Sequence, residues 1–332
     1  MCSEPSFLAD DSFFVNCQHI LTAIVVPIHL FGAYIVLAKT PQKMISVKQS
    51  MIILHCLGAF VDIYMSCITI PVLTVPFCAG YPLGLAVLLG IRTDVQLYIG
   101  FSLVAMVCTA ILSFFEDRFF VFGNGGDNQR NWKRKAYILV NYFLSATYIL
   151  PAFLNIPDQT TGKLAMLQVI PCFPVDLFSR SGFFILAIDN TICFICILFM
   201  LLFLTSQLIF FAIGITQKLS GSSTKSKNTY RLQKQFMFAL YVQVTVPITI
   251  FCFPISIVLW ASQINYYNQA FINISFMFLC CHGLASTVTM LVAHRPYRDA
   301  AINILCFKAK EPDTNTGSKI WKTGSGAVAL SI

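Results

Sequence analysis

Seven stretches of this chain are so long and apolar that only a lipid bilayer can serve as solvent for all of them. They cover residues 18–38, 49–73, 95–115, 136–156, 182–211, 236–260 and 270–293. A hydrocarbon core about 30 Å thick needs roughly 20 apolar residues in helical form, so each stretch can cross once. The chain is 57% apolar and 11% charged, whereas soluble domains carry about 25% charged residues. A soluble fold of this length could not cover its surface with so few charges. The fold class is therefore an all-α membrane protein, a seven-transmembrane helix bundle embedded in the lipid bilayer. Pro27, Pro71, Pro151, Pro247 and Pro254 fall within the runs. A membrane helix absorbs such prolines as kinks, and the pair in the sixth run predicts a bent helix.

A net charge of +8 raises the question of nucleic acid, but the placement of the charges answers it. Of the 22 Lys and Arg residues, 19 fall in the first, third and fifth loops and the tail, with Arg92, Lys163 and Arg180 on the other side. Basic loops stay in the cytoplasm, which puts the N-terminus outside and the C-terminus in the cytoplasm. No nucleic-acid partner is implied. Glu4, Asp10 and Asp11 stand where a signal peptide would be positive, so the first run is expected to remain as an anchor. Four segments follow: an extracellular N-terminus (1–17), the transmembrane domain (18–293), a juxtamembrane amphipathic helix (294–308) and a disordered cytoplasmic tail (309–332) rich in Thr, Ser, Gly and Lys. The apolar stretch 83–91 reads as a loop or short interfacial helix, with Thr93 as a candidate N-cap.

Polar residues inside the runs are the functional candidates. Asp62 lies near the middle of the second run, where an ionisable group is costly without partners. An ion site and a structural polar hub are the two readings of Asp62, and the hub is favoured, with His55, Gln243 and His282 as further interhelical contacts. Asp189 and Asn190, in the outer part of the fifth run, are candidate ligand-pocket residues. Glu116, Asp117 and Arg118 end the third run. An acid–arginine pair there can hold a helix in place, and breaking it frees a cation for a partner's helix C-terminus; the plain alternative is a solvated charge cluster. After the seventh run, His294, Pro296, Tyr297 and Arg298 open a helix whose apolar side suits the inner membrane surface. Cys306 on it is a candidate for palmitoylation or a free thiol. Most of the 13 cysteines lie in apolar runs, where thiols pack as small hydrophobes; the C-x-x-C of Cys193 and Cys196 is of this kind. Cys78 and Cys172 fall in outer loops and form a candidate disulfide, with Cys2 and Cys17 as rival partners. The sequon Asn273-Ile274-Ser275 is too deep in the seventh run for glycosylation. No catalytic, metal or cofactor motif is present, so neither an enzyme nor a cofactor is expected.

These residues together resemble the nematode serpentine chemoreceptors, closely the class H family of the Str superfamily. The run from Tyr34-Ile35-Val36-Leu37-Ala38-Lys39-Thr40-Pro41 through Met44, Val47-Lys48 and Leu54-His55 is similar to the family's, as are Val61-Asp62, Pro76 and residues 79–84. Phe115-Glu116-Asp117-Arg118 matches the family's F-E-x-R, and His294, Pro296, Tyr297 and Arg298 match its H-x-P-Y-R. The resemblance spans residues 10–308. It implies a chemosensory G-protein-coupled receptor for a small-molecule ligand, an odorant or pheromone, in the plasma membrane of ciliated sensory neurons, with a heterotrimeric G protein as partner. Asp117-Arg118-Phe119 departs from the rhodopsin-type D-R-Y, and Cys78 lies well before the third helix. The rhodopsin-type switch and disulfide are therefore not carried over. A multi-pass transporter or channel is the alternative, but scattered prolines and the absence of a repeat speak against paired, inverted halves.

The charge asymmetry makes a direct prediction. An epitope at residue 5 should be stained on intact cells and one at residue 325 only after permeabilisation; the reverse pattern would refute the orientation.

Overall fold

The computed structural model describes residues 6–123, 131–170, 173–220 and 227–306. Seven helical spans are long and apolar enough to cross a membrane: Asp11–Lys39, Lys48–Thr69, Thr93–Val121, Trp132–Phe153, Thr191–Lys218, Met237–Gln263 and Gln269–Ala293. The helices are α1 (Asp11–Lys39), α2 (Ile45–Ile63), a short α3 (Leu85–Leu88), α4 (Thr93–Gly123), α5 (Trp132–Thr147), α6 (Leu150–Phe153), α7 (Gln159–Val169), α8 (Thr191–Ser220), α9 (Lys227–Gln263), α10 (Gln269–Leu279) and α11 (His282–Ala293), of which α3 and α7 lie in the connections between spans. The helix α12 (Arg295–Leu305) follows the last span, at the place expected for an amphipathic helix. Residues 309–332, expected as a disordered tail, lie outside the described residues.

The departures from the sequence reading have local causes. The first helix starts seven residues early, inside the segment assigned to the N-terminus, because the Asp10 carboxylate accepts the Phe13 N–H at 3.1 Å and caps it. The second span ends at a π-helical turn, Tyr64–Thr69, after which Ile70 takes a left-handed conformation with φ 43°. Pro71–Leu73 then forms strand β1 instead of continuing the helix. The fifth helix starts at Thr191, later than the apolar run at 182, because Phe184–Ala187, though apolar, is strand β3. Pro151 opens the separate turn α6, whereas α9 runs on through both Pro247 and Pro254. Thr93 is not a cap: its hydroxyl donates to the Gly182 carbonyl at 2.7 Å.

β1 and β3 flank β2 (Cys78–Pro82) in an antiparallel sheet that closes one end of the bundle. The side chain of Gln159 acts as an extra rung, accepting from the Ile185 N–H at 2.9 Å and donating to its carbonyl at 3.0 Å. This fixes α7 across the sheet. Phe14, Tyr81, Met166, Ile185, Tyr267 and Phe276 fill the space below it. The Asp11 carboxylate, bound by Tyr81 at 2.8 Å and Arg180 at 3.0 Å, ties the start of α1 to this cap. Asn273 of the sequon is 2% exposed and donates to the Leu8 carbonyl at 3.1 Å, which leaves no room for a glycan.

The cap tolerates no side chain at Gly80, where a Cβ would stand 2.1 Å from the Val72 carbonyl oxygen. Gly58, in the middle of α2, has nothing within 4 Å of its Cβ position. Gly80→Ala should therefore lower thermal stability by about 1–3 kcal/mol and reduce surface level. Gly58→Ala should be neutral or stabilise by up to about 1 kcal/mol. Equal behaviour of the two variants in a thermal-shift assay would refute this account of the cap.

Candidate functional site

Two buried polar centres lie along the bundle. The first surrounds Asp62, which is 1% exposed. The seventh span is interrupted at Cys280 and Cys281, between α10 and α11. A helix start leaves backbone N–H groups without partners, and in hydrocarbon no water can serve them. The Asp62 carboxylate fills that role, accepting from Gly283 N–H at 3.1 Å and Leu284 N–H at 2.8 Å. Its oxygens also face His282 Nδ1 at 3.1 Å and His29 Nε2 at 3.2 Å. The approach requires glycine at 283, since a Cβ there would lie 2.6 Å from Asp62 Oδ2.

A second ring of contacts orients these groups. His29 Nδ1 is 2.8 Å from the Thr287 hydroxyl, and His55 Nε2 is 2.9 Å from the His29 carbonyl oxygen. His55 Nδ1 is 3.4 Å from the same Thr287 hydroxyl. The site thus joins α1, α2 and α11. Asp62, His55 and His282 were legible in the sequence as hub residues. His29 and Thr287 were missed, although a histidine inside the first apolar run was a visible signal.

The second centre lies at the α12 end. Glu116, Asp117, Arg118 and Arg134 are 1%, 3%, 5% and 6% exposed. They are not a solvated cluster. Arg134, from α5, donates to Glu116 Oε1 at 2.5 Å and Oε2 at 3.1 Å, and to Asp117 Oδ1 at 3.2 Å. Its guanidinium stacks on Phe120, 4.0 Å from the ring centroid. The Ser50 hydroxyl from α2 donates to Asp117. Arg118 lies beside Asp117, 5.9 Å over the Phe114 ring. Two acids and two arginines sum to zero charge, so their burial strands no net charge.

The sequence reading placed the restraint within residues 116–118, whereas Arg134 forks onto both acids from another helix. In the sequence it reads only as a topology signal. Its periodicity could have revealed it: Arg134, Ile138, Asn141 and Ser145 recur at helical spacing and are all buried.

The juxtamembrane motif fastens helix ends. His294 Nε2 is 2.7 Å from Gln243 Oε1 on α9. Tyr297, fully buried, places its hydroxyl 3.0 Å from that of Thr40 and 3.6 Å from the Met51 sulfur. Pro296 sits in the first turn of α12, and Arg298 is half-exposed and donates to the Val292 carbonyl at 3.5 Å. Cys306 caps α12 with an exposed thiol.

The ligand-pocket candidates have different surroundings. Asn190 is committed to the fold: it accepts the Cys78 N–H at 3.0 Å and donates to the Pro76 carbonyl and, at 3.0 Å, to Ser262. Asp189 caps the start of α8, and the Thr191 hydroxyl and amide hold its carboxyl below the usual range. It also lines a shallow hollow of about 230 Å³ with Ala152, Asn155, Ile188 and Ile192. Of the candidate disulfide, Cys172 lies outside the described residues, and the reduced Cys78 packs near Cys193. Among the described residues no group of His, Cys, Asp and Glu could hold a metal ion.

Comparison with known proteins decides what kind of bundle this is. The family described as "Serpentine type 7TM GPCR chemoreceptor Srh" matches residues 9–307. The chain belongs to this family. The class H serpentine receptors are G-protein-coupled chemoreceptors by their description, a non-enzyme class. This receptor is also 26% identical over 318 residues to Serpentine receptor class H-72 of Caenorhabditis elegans, covering 93% of its own length and 90% of that protein's.

If Asp62 holds the receptor together, its substitutions should separate by chemistry. Asp62→Asn keeps an acceptor for the α11 N-terminus and should reach the cell surface at reduced level. Asp62→Leu strands two N–H groups and two histidines, at about 1–3 kcal/mol for each unmet group, and should be retained inside the cell. Equal surface levels by flow cytometry would rule out the hub.

Proposed function

We propose that this receptor detects a small molecule, an odorant or pheromone, on its sheet-capped side and activates a heterotrimeric G protein from its α12 side. The orientation follows from the basic loops: the sheet end faces outward and α12 faces the cytoplasm, in the plasma membrane of chemosensory cilia. The observation that carries the reading is the buried group Glu116, Asp117, Arg118 and Arg134. A neutral charge cluster packed between α2, α4 and α5 stabilises one arrangement of those helices. Arg118 is 5% exposed, so this arrangement does not present it to a partner. It corresponds to the resting state.

Activation must then move α4 against α5 and bring Arg118 to the cytoplasmic surface, where a Gα subunit can engage it. Ligand drives this only by binding the two arrangements unequally. Breaking a buried ion pair by removing one partner is costly, roughly 3–5 kcal/mol in well-packed sites. Part of that cost appears as a shift toward the open arrangement.

A second-messenger reporter with parallel surface staining tests this. Glu116→Gln and Arg134→Gln should both raise ligand-independent output, by about tenfold for each ~1.4 kcal/mol of restraint lost while the active state is minor. Arg118→Ala should abolish output at normal surface level. Normal ligand-evoked signalling from Arg118→Ala would remove Arg118 from the coupling step, and unchanged basal output from both glutamine variants would remove the restraint.

A further inference from the structure

Two cysteines from distant parts of the chain meet at the sheet end of the bundle. Cys78 opens β2, where it stands opposite Ala187 of β3. Cys193 lies in the first turn of α8. Asn190, just before that helix, accepts the Cys78 N–H at 3.0 Å, which fixes the start of β2 against the start of α8. The two side chains share an apolar cluster with Ile149, Ala152 and Leu186. Cys193 is 1% exposed and Cys78 half-buried, and both are reduced in this structure. Cys196, the other half of the C-x-x-C, lies one turn further into the span.

We propose that Cys78 and Cys193 are joined by a disulfide in the mature receptor. The bond forms by thiol–disulfide exchange with a disulfide-donating oxidoreductase of the secretory compartment. The more accessible Cys78, as its thiolate, attacks the donor's disulfide and gives a mixed disulfide. Cys193 then attacks the Cys78 sulfur of that mixed disulfide and expels the donor's thiolate. One S–S bond forms in the receptor and one is lost in the donor, which takes up two electrons and two protons and leaves as a dithiol. The pairing rests on the orientation proposed above, because only the outer side is oxidising.

The bridge fastens the first turn of α8 to the central strand of the cap. Asp189 and the hollow it lines lie at this joint. The outer end of the fifth span therefore moves with the sheet, and α8 is left to respond at its α12 end.

Peptide mapping of full-length receptor from the cell surface tests the pairing. Chymotrypsin cuts after Phe77 and after Phe194, which isolates Cys78 and separates Cys193 from Cys196. An alkylated, non-reduced digest should hold one species containing both the Cys78 and the Cys193 peptides, lost on reduction. Finding Cys78 joined to Cys172 or any other cysteine, or either thiol alkylated as free, overturns the proposal. Thermal unfolding separates a bridge from two packed thiols. Cys78→Ser, Cys193→Ser and the double variant should lose the same several degrees, because each removes the whole bridge; additive losses overturn it. An epitope at residue 5 reports orientation independently, so a failed orientation is told apart from a failed pairing.

Discussion

The arrangement of the bundle depends on one carboxylate. The seventh span is two helices, and its interruption would leave N–H groups facing hydrocarbon. Asp62 supplies their acceptor from a neighbouring helix. In return, those N–H groups and the imidazoles of His29 and His282 supply what a carboxylate needs to exist at that depth. Neither feature is tolerable without the other. The break and the acid are one structural decision, made jointly by α2 and α11 and relayed to α1 through His29.

This pairing also makes α11 a strut pinned at both ends. Asp62 holds its first turn, and His294, at its other end, contacts Gln243 of α9. Tyr297 then ties α12 to the first two helices. A change of angle at the break must therefore act on α9 through one short helix. The physical warrant for coupling between the two ends is this shared rigid element, whose position both contacts bias. The capped end has no comparable freedom, since the sheet, the Gln159 rung and the Asp11 contacts fix it to α1 and α7.

The spans were legible because the bilayer imposes length and apolarity on every one of them, whatever the packing. The ends were less so. The strand Phe184–Ala187 is as apolar as the helix that follows it, and only its pairing with β2 distinguishes the two. Asp62 announced itself by position, because a lone acid in an apolar run needs an explanation. The break that Asp62 serves carries no such mark, since Cys280 and Cys281 are ordinary helix residues in lipid. Arg134 was hidden by its neighbours: among Lys133 and Lys135 it reads as one more cytoplasmic charge. Only the helical recurrence of Arg134, Asn141 and Ser145 shows that one face of α5 turns inward.

The two buried polar centres differ in a way that assigns them different roles. At Asp62 the partners include backbone N–H groups and rigid imidazoles, enclosed where no water can replace them. Opening that centre would expose a charge to hydrocarbon, so it suits a fixed anchor. The group around Glu116 is made of side chains alone, sums to zero charge and lies at the membrane boundary. When its pairs part, water can solvate each member, and the desolvation cost of burying them is recovered. Its closed and open forms can therefore differ by little free energy even though each contact is strong. A receptor needs such near-balance, because a ligand shifts an equilibrium only by its own differential affinity. Motion is thus expected where the charges are paired by side chains, and rigidity where a carboxylate is paired with the backbone.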